Sequence, residues 1–144
     1  FDAQFIDGMI EHHVGAVAMA ELVLVESERP ELLALAEAII AAQGEEIDMM
    51  NGWRAAWYPD LSASSGMDMD MGAMEIADDP ATPFDQRFLE AMIDHHEGAI
   101  EMARAAQTMG EHEELRAMAD AVIATQQAEI DQMRAWLAAW FDVE

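Results

Sequence analysis

The sequence predicts an all-α protein, a four-helix bundle made of two duplicated helical hairpins, and three observations carry that reading. The segment FDAQFIDGMIEHHVGAVAMA from Phe1 aligns without a gap to FDQRFLEAMIDHHEGAIEMA from Phe84. Apolar residues recur at helical spacing through both copies, with almost no strand-like alternation. Helix breakers fall where two hairpins need them.

The repeat continues at the same offset to the end, pairing Gln43 with Gln126, Glu46-Ile47-Asp48 with Glu129-Ile130-Asp131, Trp53 with Trp136 and Trp57 with Trp140. Each copy is then one supersecondary unit. In the first copy Phe5, Met9, Ala16, Ala20 and Val23 form one stripe, and Leu32, Ala36, Ile39, Ile40, Ile47, Met50 and Trp53 form a second. Ser27 to Pro30 separates them, proline being suited to the first position of a helix. Pro59 closes the first hairpin. Thr82-Pro83 with Asp85 reads as the start of the third helix: a side-chain cap, a proline in the first turn and an early acid. Gly110 divides the third helix from the fourth, as glycine commonly does at a helix end. The organisation is a single domain, with repeat one over 1–59, a methionine-rich linker over 60–82 and repeat two over 83–144. Two amphipathic hairpins bury their stripes by packing face to face about a pseudo-twofold axis.

Thirty acidic residues against six arginines, with no lysine, give a net charge of −24. That balance argues against nucleic acid or anionic membrane as a partner and favours cations. Cysteine is absent, so there is no disulfide, no thiolate metal site and no cysteine nucleophile. No uninterrupted apolar run approaches the roughly 20 residues that span a bilayer, and the chain reads as soluble. No glycine-rich phosphate loop and no Gly-x-Ser-x-Gly elbow occurs, so nucleotide-dependent and hydrolytic chemistry have no support. Because the chain opens at Phe1, an export signal or lipoprotein anchor upstream is expected.

The residues that carry chemistry are histidine and methionine. With Met9 at zero on a helical wheel, His13 falls near +40° and His12 near −60°, so the histidines flank the core-facing stripe. Met9 lies one turn before His12 and His13, and Met92, His95 and His96 repeat the arrangement. These are two related candidate sites. Imidazole and thioether are donors suited to Cu(I) or Ag(I), soft ions that need no carboxylate charge. Met19 sits two turns beyond His12, about 10.5 Å along the axis, and with Met102 is expected to serve the core or another site. The linker adds Met67, Met69, Met71 and Met74 in a polar stretch where no core requires them. Met50, Met109, Met133 and His112 are lesser candidates, since Met50 and Met133, like Met49 and Met118, also fit core positions. Gln43 and Gln126 fall centrally on apolar stripes, where a buried amide needs a partner. They are expected to hydrogen-bond the paired imidazoles and fix their tautomers.

The Glu-x-x-His signature of di-iron and di-manganese bundles is missing, because Met9, Ile10, Met92 and Ile93 stand three residues before the histidines. Asp7, Glu11, Glu90, Asp94 and Glu97 lie close enough to keep Zn(II) or Cu(II) as alternative metals.

The pattern Asp2, Phe5, Met9, His12-His13, Ala16, Met19-Ala20, repeated as Asp85, Phe88, Met92, His95-His96, Ala99, Met102-Ala103, resembles the DUF305 family over essentially the whole chain. The resemblance implies a ferritin-like helical fold and export to the periplasm, cell surface or medium. It also implies copper handling, since that family includes copper-binding proteins of the CopM type linked to copper tolerance. Those implications attach most firmly to the paired histidines with Met9 and Met92, and to the methionine-rich linker.

The leading expectation is an extracytoplasmic copper chaperone or sequestering protein that holds Cu(I), with Ag(I) as a surrogate, and exchanges it with a delivery or acceptor protein. No catalysis is required, and no oligomeric state is indicated. Two other classes stay open: a ferritin-like metallo-oxidase using histidine and nearby acids, and an interaction module with core histidines and Trp53, Trp57, Trp136 and Trp140 as anchors.

Overall fold

The computed structural model describes residues 1–62 and 75–143; Met67, Met69, Met71 and Met74 lie outside the described residues. It is a four-helix bundle, α1 Asp2–Glu26, α2 Pro30–Trp57, α3 Phe84–Met109 and α4 Glu113–Phe141. No strand occurs among the described residues. The helices start and stop for the reasons the sequence offers. Pro30 opens α2, Ser27 ends α1 in extended backbone, and Gly110 ends α3. At Gly110 an added Cβ would stand 2.7 Å from the Ala106 carbonyl oxygen, so the position is closed to other residues as built. Asp142 ends α4 in the left-handed region, with the Val143 amide donating back to Leu137.

The start of α3 departs from expectation. Pro83 is the cap residue itself, and no side chain caps the helix. Thr82 instead donates to Asp79, whose carboxylate also accepts from the Ala81 amide, making a turn that leads into α3. Arg87 then reaches back to the Thr82 and Ala77 carbonyls. None of the four helices has an N-terminal side-chain cap bond, and each carries an acid in its first turn, Asp2, Glu31, Asp85 and Glu113 among them.

Within each hairpin the helices pack closely, α1 on α2 and α3 on α4, and α1 joins the hairpins by packing on α3. The ends show that α1 and α3 run antiparallel, because Asp2 meets the α3–α4 turn and Asp85 meets the α1–α2 turn. The core divides into two apolar layers. One gathers Phe5, Met9, Met50, Met102, Met118 and Val122; the other gathers Met19, Val23, Phe88, Met92, Ile130 and Met133. By length and composition α1 qualifies as a membrane span, with a mean hydropathy of 1.3 over its most apolar window. Its core face, which carries two buried imidazoles, is used up against α2 and α3.

Both ends of the bundle are closed by the same device. Asp2 accepts from the Glu111 and His112 amides at 2.9 and 3.0 Å and pairs with His112 Nδ1 at 2.7 Å. The His112 ring stacks on Trp57 at 3.6 Å. At the other end Asp85 pairs with Arg29 at 3.0 Å, and that guanidinium lies 4.2 Å over Trp140. Asp2 and Asp85, His112 and Arg29, and Trp57 and Trp140 occupy equivalent positions of the sequence repeat.

The two closures differ in burial, and so in energy. The Asp2 side chain is fully buried, whereas Arg29 keeps 38% of its side chain exposed. Asp2→Asn is expected to lower the unfolding free energy by about 1–3 kcal/mol, the range for disturbing a buried charged acceptor. Asp85→Asn should cost under about 1 kcal/mol. Urea unfolding at neutral pH measures both, and a smaller loss at Asp2 than at Asp85 would contradict this difference between the two closures.

Candidate metal centre

Between the two apolar layers lie His12, His13, His95 and His96, all four with no exposure. Continuous helix through both pairs puts Met9 one turn before His12-His13 and Met92 one turn before His95-His96. The pairs do not stay apart as two independent sites. His12 and His95 stack across the α1–α3 contact with ring centroids 3.5 Å apart and planes 29° from parallel.

The second histidine of each pair turns toward its own hairpin partner. His13 Nε2 lies 2.7 Å from Glu46 Oε1 on α2, and His96 Nε2 lies 2.6 Å from Glu129 Oε1 on α4. An ionised carboxylate only accepts, so Nε2 must carry the hydrogen. In the neutral ring Nδ1 then holds the lone pair. Both Nδ1 atoms are buried without a hydrogen-bond partner. A carboxylate behind an imidazole, fixing its tautomer and leaving the other nitrogen for an ion, is a common arrangement at metal centres.

Charge is disfavoured at His95. Burial, reinforced by the neighbouring His12, His96 and His13 imidazoles, pushes the His95 pKa down to about 2. Two imidazolium rings 3.5 Å apart would repel by roughly 5 kcal/mol even at an effective dielectric constant of about 20. His95 therefore offers a neutral nitrogen donor.

The expected partners of the imidazoles need correction. Gln43 and Gln126 are buried, but the groups bonded to His13 and His96 are Glu46 and Glu129, and both glutamine Oε1 atoms stay without a partner. Each glutamate lies three residues beyond its glutamine, on the same helical face. Their repetition in both copies was a visible signal, outweighed by the usual reading of a glutamate as a solvated group.

The thioethers are distributed by the antiparallel packing. Met9 shares its layer with Met102 and Met50, and Met92 shares the opposite layer with Met19 and Met133. Met19 is thus separated from Met9, as the axial spacing requires, and joins Met92 instead. Met109 is exposed at the end of α3. His112 is taken up by Asp2 and Trp57, and its repeat equivalent is Arg29, which cannot ligate a metal; the position serves the end closure. Among the described residues no group of three or more His, Asp or Glu side chains is arranged to hold an ion. An ion at this centre would therefore draw on imidazole together with thioether donors.

Fold and site define a class, a four-helix bundle with a layer of four imidazoles buried at its middle. The chain belongs to the DUF305 family, a domain of unknown function whose model matches residues 2–137. It is similar to the solved structure of CopM in the Cu(I)-bound form, at 37% identity and a TM-score of 0.84, with 98% of each chain covered. CopM in the Cu(II)-bound form matches at 39% identity and a TM-score of 0.82, covering 96% of this chain and 97% of that one. A DUF305 fragment from Deinococcus radiodurans matches at 25% identity and a TM-score of 0.82, over 96% and 95% of the two chains. No curated protein matches the chain.

The neutral His95 has a pH signature. A base whose pKa is depressed on folding binds its proton more readily unfolded, so stability is complete above the unfolded value near 6.5 and falls as pH drops below it. The slope for His95 is about 1.4 kcal/mol per pH unit. Urea midpoints of the metal-free protein from pH 7.5 to 5.5 should show this loss, and His95→Leu should remove that residue's share. Wild type and variant with parallel pH dependence would contradict a neutral buried His95. At lower pH Asp2 adds a further loss. Burial raises its pKa, but hydrogen bonds from His112 and the Glu111 and His112 amides outweigh burial and hold it below the ordinary range. That contribution disappears as pH falls below about 4.

Proposed function

We propose that this protein is an extracytoplasmic Cu(I)-sequestering or chaperone protein, whose buried imidazoles and flanking thioethers retain the ion. The observation that carries the reading is the pair of buried Nδ1 atoms of His13 and His96, left without a hydrogen-bond partner at the bundle centre. A core that used histidine only for packing would leave buried acceptors uncompensated, at about 1–3 kcal/mol each. An ion with soft preferences compensates them with donors already present.

His13 and His96 would supply Nδ1, His12 and His95 the remaining imidazole nitrogen, and Met9 and Met92 the nearest thioethers. Glu46 and Glu129 would hold the ring orientation. Met67, Met69, Met71 and Met74 are proposed to capture Cu(I) before it reaches the centre. CopM was crystallised with Cu(I), with Cu(II) and with silver, which supports copper as cargo here and Ag(I) as its probe. A candidate secreted DUF305 protein from Streptomyces coelicolor, at 26% identity, supports a place outside the cytoplasm. The metallo-oxidase alternative needs several carboxylates converging on the ions, which the described residues do not supply.

Competition titration with a Cu(I) chelator should give tighter binding of Cu(I) and Ag(I) than of Zn(II). Replacing His13 and His96 together by leucine should weaken Ag(I) binding at least about tenfold. Glu46→Gln with Glu129→Gln should cost roughly 10–100-fold, the range for losing such orienting carboxylates. Unchanged Ag(I) affinity after replacing all four paired histidines would remove the imidazole centre from the reading.

A further inference from the structure

The outer helices α2 and α4 do not pack closely on each other as the inner pair does. In the seam between them lies a cavity of about 50 Å³, lined by Ile39, Gln43, Glu46 and the repeat-equivalent Val122, Gln126 and Glu129, with Ala42 and Thr125 completing it. Its position on the pseudo-twofold axis brings two carboxylates and two carboxamides to one space.

The four carboxylate and two amide oxygens there outnumber the donors, which are the two glutamine NH2 groups and the Thr125 hydroxyl. The amide oxygens of Gln43 and Gln126 are buried with no partner, and the two residues are only 4% and 2% exposed. Glu46 and Glu129 each give one oxygen to an imidazole and keep a second, for which the described residues supply no hydrogen bond. Their side chains retain 23% and 17% exposure, which leaves them in reach of solvent and free to adjust. A site of oxygen acceptors bearing two negative charges suits a divalent ion that prefers oxygen, and it is a poor site for Cu(I).

We infer that this seam is a second cation site, in which Glu46, Glu129, Gln43 and Gln126 hold a divalent ion through oxygen, distinct from the imidazole centre beneath it. The inference stands on the cavity and its unpartnered oxygens, independently of copper binding at the histidines.

Mn(II) is the probe, because it is oxygen-seeking and reports its free concentration by electron paramagnetic resonance. Full-length, metal-free protein is titrated at physiological ionic strength, where ions loosely attracted to surface acids are largely screened. One Mn(II) should bind per chain more tightly than any others, and Gln43→Leu with Gln126→Leu should weaken it by roughly tenfold, the lower range for such ligand losses. One equivalent of Ag(I) should leave that Mn(II) in place. Equal Mn(II) affinity in wild type and the double variant overturns the proposal, as does displacement by Ag(I). Should the variant fail to fold, crystals of the wild-type protein soaked in Mn(II) decide: an anomalous peak in the seam supports the site, and peaks only at surface carboxylates overturn it.

Discussion

The bundle is organised around four imidazoles placed at its centre where water cannot reach them. A charge in that layer would be desolvated on every side, and the stacked rings of His12 and His95 would add mutual repulsion. Buried imidazoles in turn demand directional partners. The His13–Glu46 bond ties α1 to α2 at mid-height, His96–Glu129 ties α3 to α4, and the imidazole stack ties the two hairpins together. The apolar layers of alanine, methionine and leucine on either side are chemically uniform and would tolerate sliding. A polar layer with one satisfactory alignment specifies the register of all four helices.

The duplication extends this logic to the ends. An acid from the first turn of one inner helix grips the turn of the other hairpin, and an aromatic ring from the neighbouring outer helix covers the gripped group. Asp2, His112 and Trp57 do this at one end, and Asp85, Arg29 and Trp140 at the other. That imidazole and guanidinium exchange places shows what the position needs, a planar donor able to stack. The mid-height contacts and the two end closures together leave the α2–α4 seam as the side of the bundle with the least constraint.

Much of this was legible in the residues. The gapless repeat and the breakers at Ser27–Pro30, Pro59 and Gly110 anticipate four helices, because helix ends depend on local chemistry. The burial of His12 and His13 followed from their place beside the Met9 stripe. What escaped was everything decided between elements. The side of each ring that faces α2 or α4 depends on helix rotation, so Glu46 and Glu129 could not be told from Gln43 and Gln126. Nor does periodicity say that the pairs meet across an antiparallel contact; a wheel for one helix has no neighbour in it. His112 read as a spare ligand until its equivalence with Arg29 acquired a structural meaning. Thr82 was misread because Asp79, three residues earlier, competes for its hydroxyl.

The charge distribution bears on which ion such a centre would accept. Thirty acidic residues draw cations of every kind to the surface, but the field they produce does not discriminate among metals beyond favouring higher charge. The inner layer applies the opposite preference. Imidazole and thioether are neutral, and the nearest carboxylates are held at the far side of His13 and His96. A divalent ion brought there would lose its hydration with little anionic compensation, whereas a soft monovalent ion loses less and gains from polarizable donors. The carboxylate oxygens of the seam stand between these environments. An ion that prefers oxygen gains little by leaving them for the histidines, and Cu(I) gains little by stopping there. The separation of oxygen from nitrogen and sulfur donors along one path, more than any single ligand, would give the centre its selectivity.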